Sequence, residues 1–71
     1  MRVSQILHKM DRNEAVHIFD STLPIDKHTL YDGTVRGVHR DNPVLSQNVT
    51  MIMADSDVIV IDVGREERGK R

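Results

Sequence analysis

The chain has 71 residues and a formal charge of −1, which limits it to one small domain and excludes the strong charge imbalance of a dedicated DNA binder or a DNA mimic. It has no cysteine, hence no disulfide and no thiolate metal site, and its only aromatic residues, Phe19 and Tyr31, are too few for the stacking platforms of single-strand binders. The near-neutral total hides an asymmetry: residues 1–63 carry six Lys/Arg against nine Asp/Glu, and residues 65–71 carry four against two.

Taken in chain order, Ser4 stands before Gln5-Ile6-Leu7-His8-Lys9-Met10 and reads as an N-cap, with Val3 packing back as a staple. Ile6, Leu7 and Met10 fall on one side of the two-turn helix that follows. A helix so short is unstable alone and must be pinned to a sheet. Glu14 to Asp20 reads as a first strand, with Val16 and Ile18 on one face and His17 and Phe19 on the other. Ser21 to His28, with Pro24, is a loop. In residues 29–38 Asp32-Gly33 is a hairpin-turn signal, but the flanks are short, and one strand bent at Gly33 and Gly37 is the preferred reading. Asn42-Pro43 starts a turn of helix through Val44 and Leu45.

Residues 49–63 carry the strongest signal. Two apolar, β-branched runs flank Asp55-Ser56-Asp57 and read as a β-hairpin. With the turn at Asp55-Ser56, one face carries Met51, Met53, Val58 and Val60, and the other carries Ile52, Ala54, Ile59, Ile61 and Val63. Surface hairpins alternate apolar and polar residues, so this one needs cover on both sides. The helix can supply only one. The remaining face is expected to close on a second copy as a weak two-fold dimer or to be a partner site. The expected fold is α+β, with a short N-terminal helix on a bent four-stranded antiparallel sheet that could curl toward a half-open small barrel. The domain spans residues 1–63, followed by a charged disordered tail over 64–71.

These motifs carry two resemblances. The opening Val-Ser-x-Ile-Leu, the Val16-x-Ile18-x-Asp20 and Leu30-Tyr31-Asp32-Gly33-x-Val35 segments, Val44-Leu45, and the hairpin with Ala54-x-x-Asp57 resemble small uncharacterised proteins of phages and prophages of Gram-positive bacteria. That resemblance implies an accessory gene whose product binds and blocks a host protein, in the manner of anti-CRISPR inhibitors of host defence. The segment Leu30-Tyr31-x-Gly33-x-Val35-x-Gly37-Val38, after a helix and a strand ending in Asp, is similar to Sm-like RNA-binding barrels. It supplies the alternative function, an oligomeric nucleic-acid-binding barrel.

No enzyme, metal or cofactor is expected. His8, His17, His28 and His39 lack paired ligand spacing. Ser4, Ser21, Ser46 and Ser56 are each explained as cap, loop, short helix or turn, with no catalytic constellation beside them. The candidate partner-binding residues are the basic cluster Arg36, His39 and Arg40, together with Met51, Met53, Val58 and Val60; Met suits adaptable binding surfaces. A basic surface continuous with Arg12 and Lys9 would favour nucleic acid; an isolated cluster beside an apolar sheet face would favour a protein partner. Tight nucleic-acid binding is not expected. No run is long enough to span a membrane, and no long apolar stretch follows the start, so a cytoplasmic protein without a signal peptide is expected.

Overall fold

The computed structural model describes residues 1–64; the tail expected over 64–71 lies, from Arg65 on, outside them. The elements are α1 (Val3–His8), β1 (Ala15–Phe19), β2 (Thr29–Thr34), two 3₁₀ turns (Val35–Gly37 and Pro43–Ser46), β3 (Met51–Asp55) and β4 (Val58–Asp62). The strands form one sheet in the order β2-β1-β4-β3. β1 pairs antiparallel with β2 and parallel with β4, while β3 and β4 form the hairpin. The sheet is therefore mixed rather than purely antiparallel, and it is open, with β2 and β3 at its edges instead of a closed or half-closed barrel. The long connection from β2 to β3 carries the chain past β1, so β4 returns alongside β1 in the same direction. A parallel neighbour needs such a crossover, not a tight turn.

Register assigns the faces. On one side the cross-strand rows are Tyr31–Ile18–Ile61–Ile52 and Gly33–Val16–Ile59–Ala54; on the other they include Asp32–His17–Val60–Met53. The first side is covered by α1 and by the 3₁₀ turn at Pro43–Ser46. Its core is Val3, Leu7, Val16, Ile18, Val44, Ile61 and Val63. Fully burying each such side chain stabilises the fold by about 1.5–3 kcal/mol. The cover stops short of the edge strand: Ile18 and Ile61 are fully buried, but Ile52, in the same row, is 48% exposed.

Local details differ from the sequence expectation in three places. First, α1 begins two residues earlier than the Ser4 cap signal. Arg2 is its N-cap, with its N–H donating to Gln5 Oε1 at 2.8 Å. Val3 is fully buried in the core, which outweighs the cap preference of Ser4. The same end is tied across the fold, because Val3 N–H donates to the Gln47 carbonyl and Val49 N–H to that of Met1. Second, the hairpin turn is Ser56-Asp57, closed by the pair Asp55↔Val58, one residue later than expected. Ser56 takes φ 58°, a left-handed conformation that suits the first position of a two-residue hairpin turn. The one-residue change leaves the expected face partition intact. Third, β2 does not continue through Gly37. It ends at Thr34 and passes into the 3₁₀ turn. Tyr31 lies over this corner, its hydroxyl donating to the Thr34 carbonyl at 2.7 Å. A Cβ on Gly33 would stand 2.9 Å from that hydroxyl, and one on Gly37 would overlap it. The glycines serve close approach of an aromatic ring rather than strand bending. The one register shift on this side is between Ile18 and Phe19 of β1.

Candidate functional site

Two surfaces stand out, lined by disjoint sets of residues. The first is the uncovered face of the sheet. Met51, Met53, Val58 and Val60 all lie on it, as their spacing predicts, joined by Phe19 and His17 of β1. Met51 and Met53 are 49% and 44% exposed. A cleft of about 410 Å³ runs over this face, with Phe19, Val58 and Val60 as floor and His17, His28, Asp32 and Asp55 as polar margin. The Phe19 ring is flanked by His17 and His28, with centroids 6.0 and 5.3 Å away. His17 Nδ1 stands 3.7 Å from the Asp32 carboxylate.

One end of this face is closed by Asp62, which sequence reasoning did not single out. Asp62 is 6% exposed, and its Oδ1 accepts from the N–H of Ser21 at 3.1 Å and of Gly64 at 2.8 Å. Burial alone pushes its carboxyl up. The Gly64 N–H, the Ser21 hydroxyl and N–H, and the nearby His28 charge more than offset that push, and its pKa lies below the ordinary 3.8. Asp62 is a clasp that ties the Ser21 loop and residue 64 to the end of β4. The only sequence signal for it was a carboxylate ending an otherwise apolar strand.

The face runs into the edge strand β3, all five residues of which are exposed. The two-residue turn makes Asp55↔Val58 a hydrogen-bonded pair, and alternation makes Met53↔Val60 another. The N–H and C=O groups of Ile52 and Ala54 therefore point off the sheet. Soluble proteins blunt such edges with Lys, Pro, bulges or inward charges. Met51-Ile52-Met53-Ala54 carries none of these, whereas the opposite edge, β2, has Asp32 and Gly33 and lies beside the register shift.

The second surface is a groove of about 560 Å³ where the end of α1 meets the β2–β3 connection. Arg36 and Arg40 of the sequence cluster line it, joined by Arg12 and His8. The Arg36 N–H donates to the Arg12 carbonyl at 2.8 Å, which fixes those two residues side by side. Leu7, Met10, Val35, Val38 and Leu45 form the apolar floor. His39 does not line this groove; its Nδ1 accepts from the Asp41 N–H at 3.1 Å. Lys9 lines an adjoining recess with Gln5, and Ser4 and His8 are shared between that recess and the groove. Arg12 therefore lines the groove itself, whereas Lys9 lines only the recess beside it.

Among the described residues no three His, Asp or Glu side chains converge as metal ligands. No described helix is long and apolar enough to cross a membrane. Comparisons with protein-family profiles, curated proteins and solved structures give no match.

Proposed function

We propose that this chain is a non-catalytic protein-binding module, of the kind the phage-protein resemblance implies, whose contact surface is β3 and the uncovered sheet face. The carrying observation is the unguarded edge: a strand apolar on both faces, exposed along its length, with the Ile52 and Ala54 amides directed outward. Such an edge binds by strand addition. The backbone supplies hydrogen bonds and alternate side chains supply specificity. A host protein offering an extended segment is the intended partner, and blocking that protein is the consequence.

In the free protein the same edge pairs with a second copy about a two-fold axis at Met53, which sets Ile52 opposite the partner's Ala54. The half-exposed Met51, Ile52 and Met53 gain only part of the 1.5–3 kcal/mol of full burial, and association costs at least about 4 kcal/mol, so the dimer is weak, in the high micromolar range. The nucleic-acid alternative draws support from the joining of Arg12 to Arg36 and Arg40. The open sheet and the lack of Phe, Tyr or Trp in that groove count against it.

Sedimentation velocity from low to several hundred micromolar tests the reading, with Ala54→Pro and Met53→Lys alongside. Pro at Ala54 removes an outward amide while sparing the ladder to β4. Wild type should dimerise with rising concentration, and both variants should stay monomeric with unchanged circular dichroism. A wild-type monomer throughout, or variants that dimerise equally well, would refute β3 as the docking strand. Capture from Gram-positive lysate should then retain a partner with wild type and lose it with Ala54→Pro.

A further inference from the structure

We infer that the groove between α1 and the β2–β3 connection is a second docking site, for an acidic peptide segment with aliphatic anchors. The inference takes from the proposed function only the class of partner, since no residue of this groove lies on the sheet-face cleft.

The composition of the groove favours this occupant. Arg12, Arg36 and Arg40 are half of the six Lys/Arg in residues 1–64, a span that carries nine Asp/Glu. Yet among the described residues no acidic side chain lines the groove. Of the acidic neighbours in the chain, Asp11 Oδ1 accepts from the Asn13 N–H at 3.0 Å, and the Asp41 N–H donates to His39 Nδ1 at 3.1 Å. None of the three arginines forms an ion pair among the described residues. Guanidinium groups present planar donor forks that match carboxylates, and exposed ones gather opposite charge from solution.

The floor then distinguishes between anions. Leu7, Met10, Val35, Val38 and Leu45 are aliphatic, and apart from Leu7 they are half-exposed. Leucine or isoleucine side chains of a peptide fill such a floor. Nucleic-acid bases want Phe, Tyr or Trp to stack on, and a duplex would rest its phosphates on the rim and leave the floor empty. The rim selects negative charge, and the floor requires apolar side chains interspersed with it.

The test uses the full chain and a fluorescein-labelled peptide of about a dozen residues in which leucines alternate with glutamate pairs, followed by anisotropy at about 50 mM salt. Binding in the tens of micromolar is expected, weakening as salt rises. Arg36→Glu and Arg40→Glu should each lower affinity about tenfold, with unchanged circular dichroism. Replacing the probe's leucines by glutamine should cost a similar factor. Arg2→Glu and Lys27→Glu, cations outside the groove, should change affinity less than about twofold. Ala54→Pro should bind the probe like wild type, so failure of the sheet edge and failure of the groove are read separately. The inference is overturned by absence of binding up to about 1 mM, by equal losses at Arg2 and Lys27, or by indifference to the leucines. It is also overturned if oligo-dT or duplex DNA binds more tightly through the same arginines, which would make the groove a nucleic-acid site.

Discussion

Ile61→Ala and Val60→Ala shorten neighbouring side chains of one strand and so compare the two faces of the sheet directly. Ile61 is fully buried between Ile18 and Ile52. Its truncation removes three carbons, worth about 0.8 kcal/mol each in transfer, and leaves a cavity that the flanking strands can only partly close. The expected cost is about 3–4 kcal/mol. Val60 is half-exposed on the uncovered face. Two carbons leave a site already in contact with water, and no enclosed cavity forms, so about 0.5–1 kcal/mol is expected. A chain of this length is stable by about 4–10 kcal/mol in all, so the first variant loses a third or more of its stability and the second remains close to wild type. Urea unfolding followed by circular dichroism at a few micromolar protein, below any self-association, measures both. With a slope near 1 kcal/mol/M, the Ile61→Ala midpoint should fall by about 3 M. Equal costs at the two positions would refute the assignment of covered and open faces, and with it the surface on which the proposed function rests.

Asp62 has a depressed pKa in the folded chain, so its contribution is fully present above the unfolded carboxylate range near 3.9 and is lost as pH falls through the lower folded value. Asp62→Asn should therefore be less stable than wild type at pH 7, with the gap narrowing by about pH 2.5; a gap independent of pH in urea titrations would refute the clasp. Ser56 holds a left-handed φ, so Ser56→Val should lower stability by about 1–2 kcal/mol while Ser56→Gly lowers it little or not at all; thermal melts on both variants check this. A chelator should leave the melting temperature unchanged, and a drop of many degrees would mean that the histidines ligate a metal.

The hairpin was legible because its signal is local. Two β-branched runs around a polar triplet fix strand, turn and the alternation of faces, and the one-residue error in the turn preserved that alternation. The parallel seam of β1 with β4 was not legible, since Ala15–Phe19 reads the same whichever strand lies beside it, and the neighbour is set by the path of residues 35–50. The cap of α1 was misread because Ser4 has the stronger local preference, whereas burial of Val3, a tertiary effect, decides the boundary. Arg36 and Arg40 were visible as neighbours in sequence. Their union with Arg12 depends on a backbone hydrogen bond between distant segments, and the role of Asp62 depends on loops folding back over the end of its strand.

The parallel seam also bears on how the chain reaches its native state. The antiparallel pairs β1–β2 and β3–β4 form two hairpins assembled from neighbouring segments, but the core row joins Ile18 to Ile61 across most of the described sequence. That closure must be paid in chain entropy before its burial is gained. A population with both hairpins formed and the seam still open would expose Val16, Ile18, Ile59 and Ile61 together, on strands with unpaired margins. The late formation of that seam is the expected rate-limiting event. Substitutions at Ile18 or Ile61 should slow refolding, whereas those confined to β3 should act chiefly on the rate of unfolding.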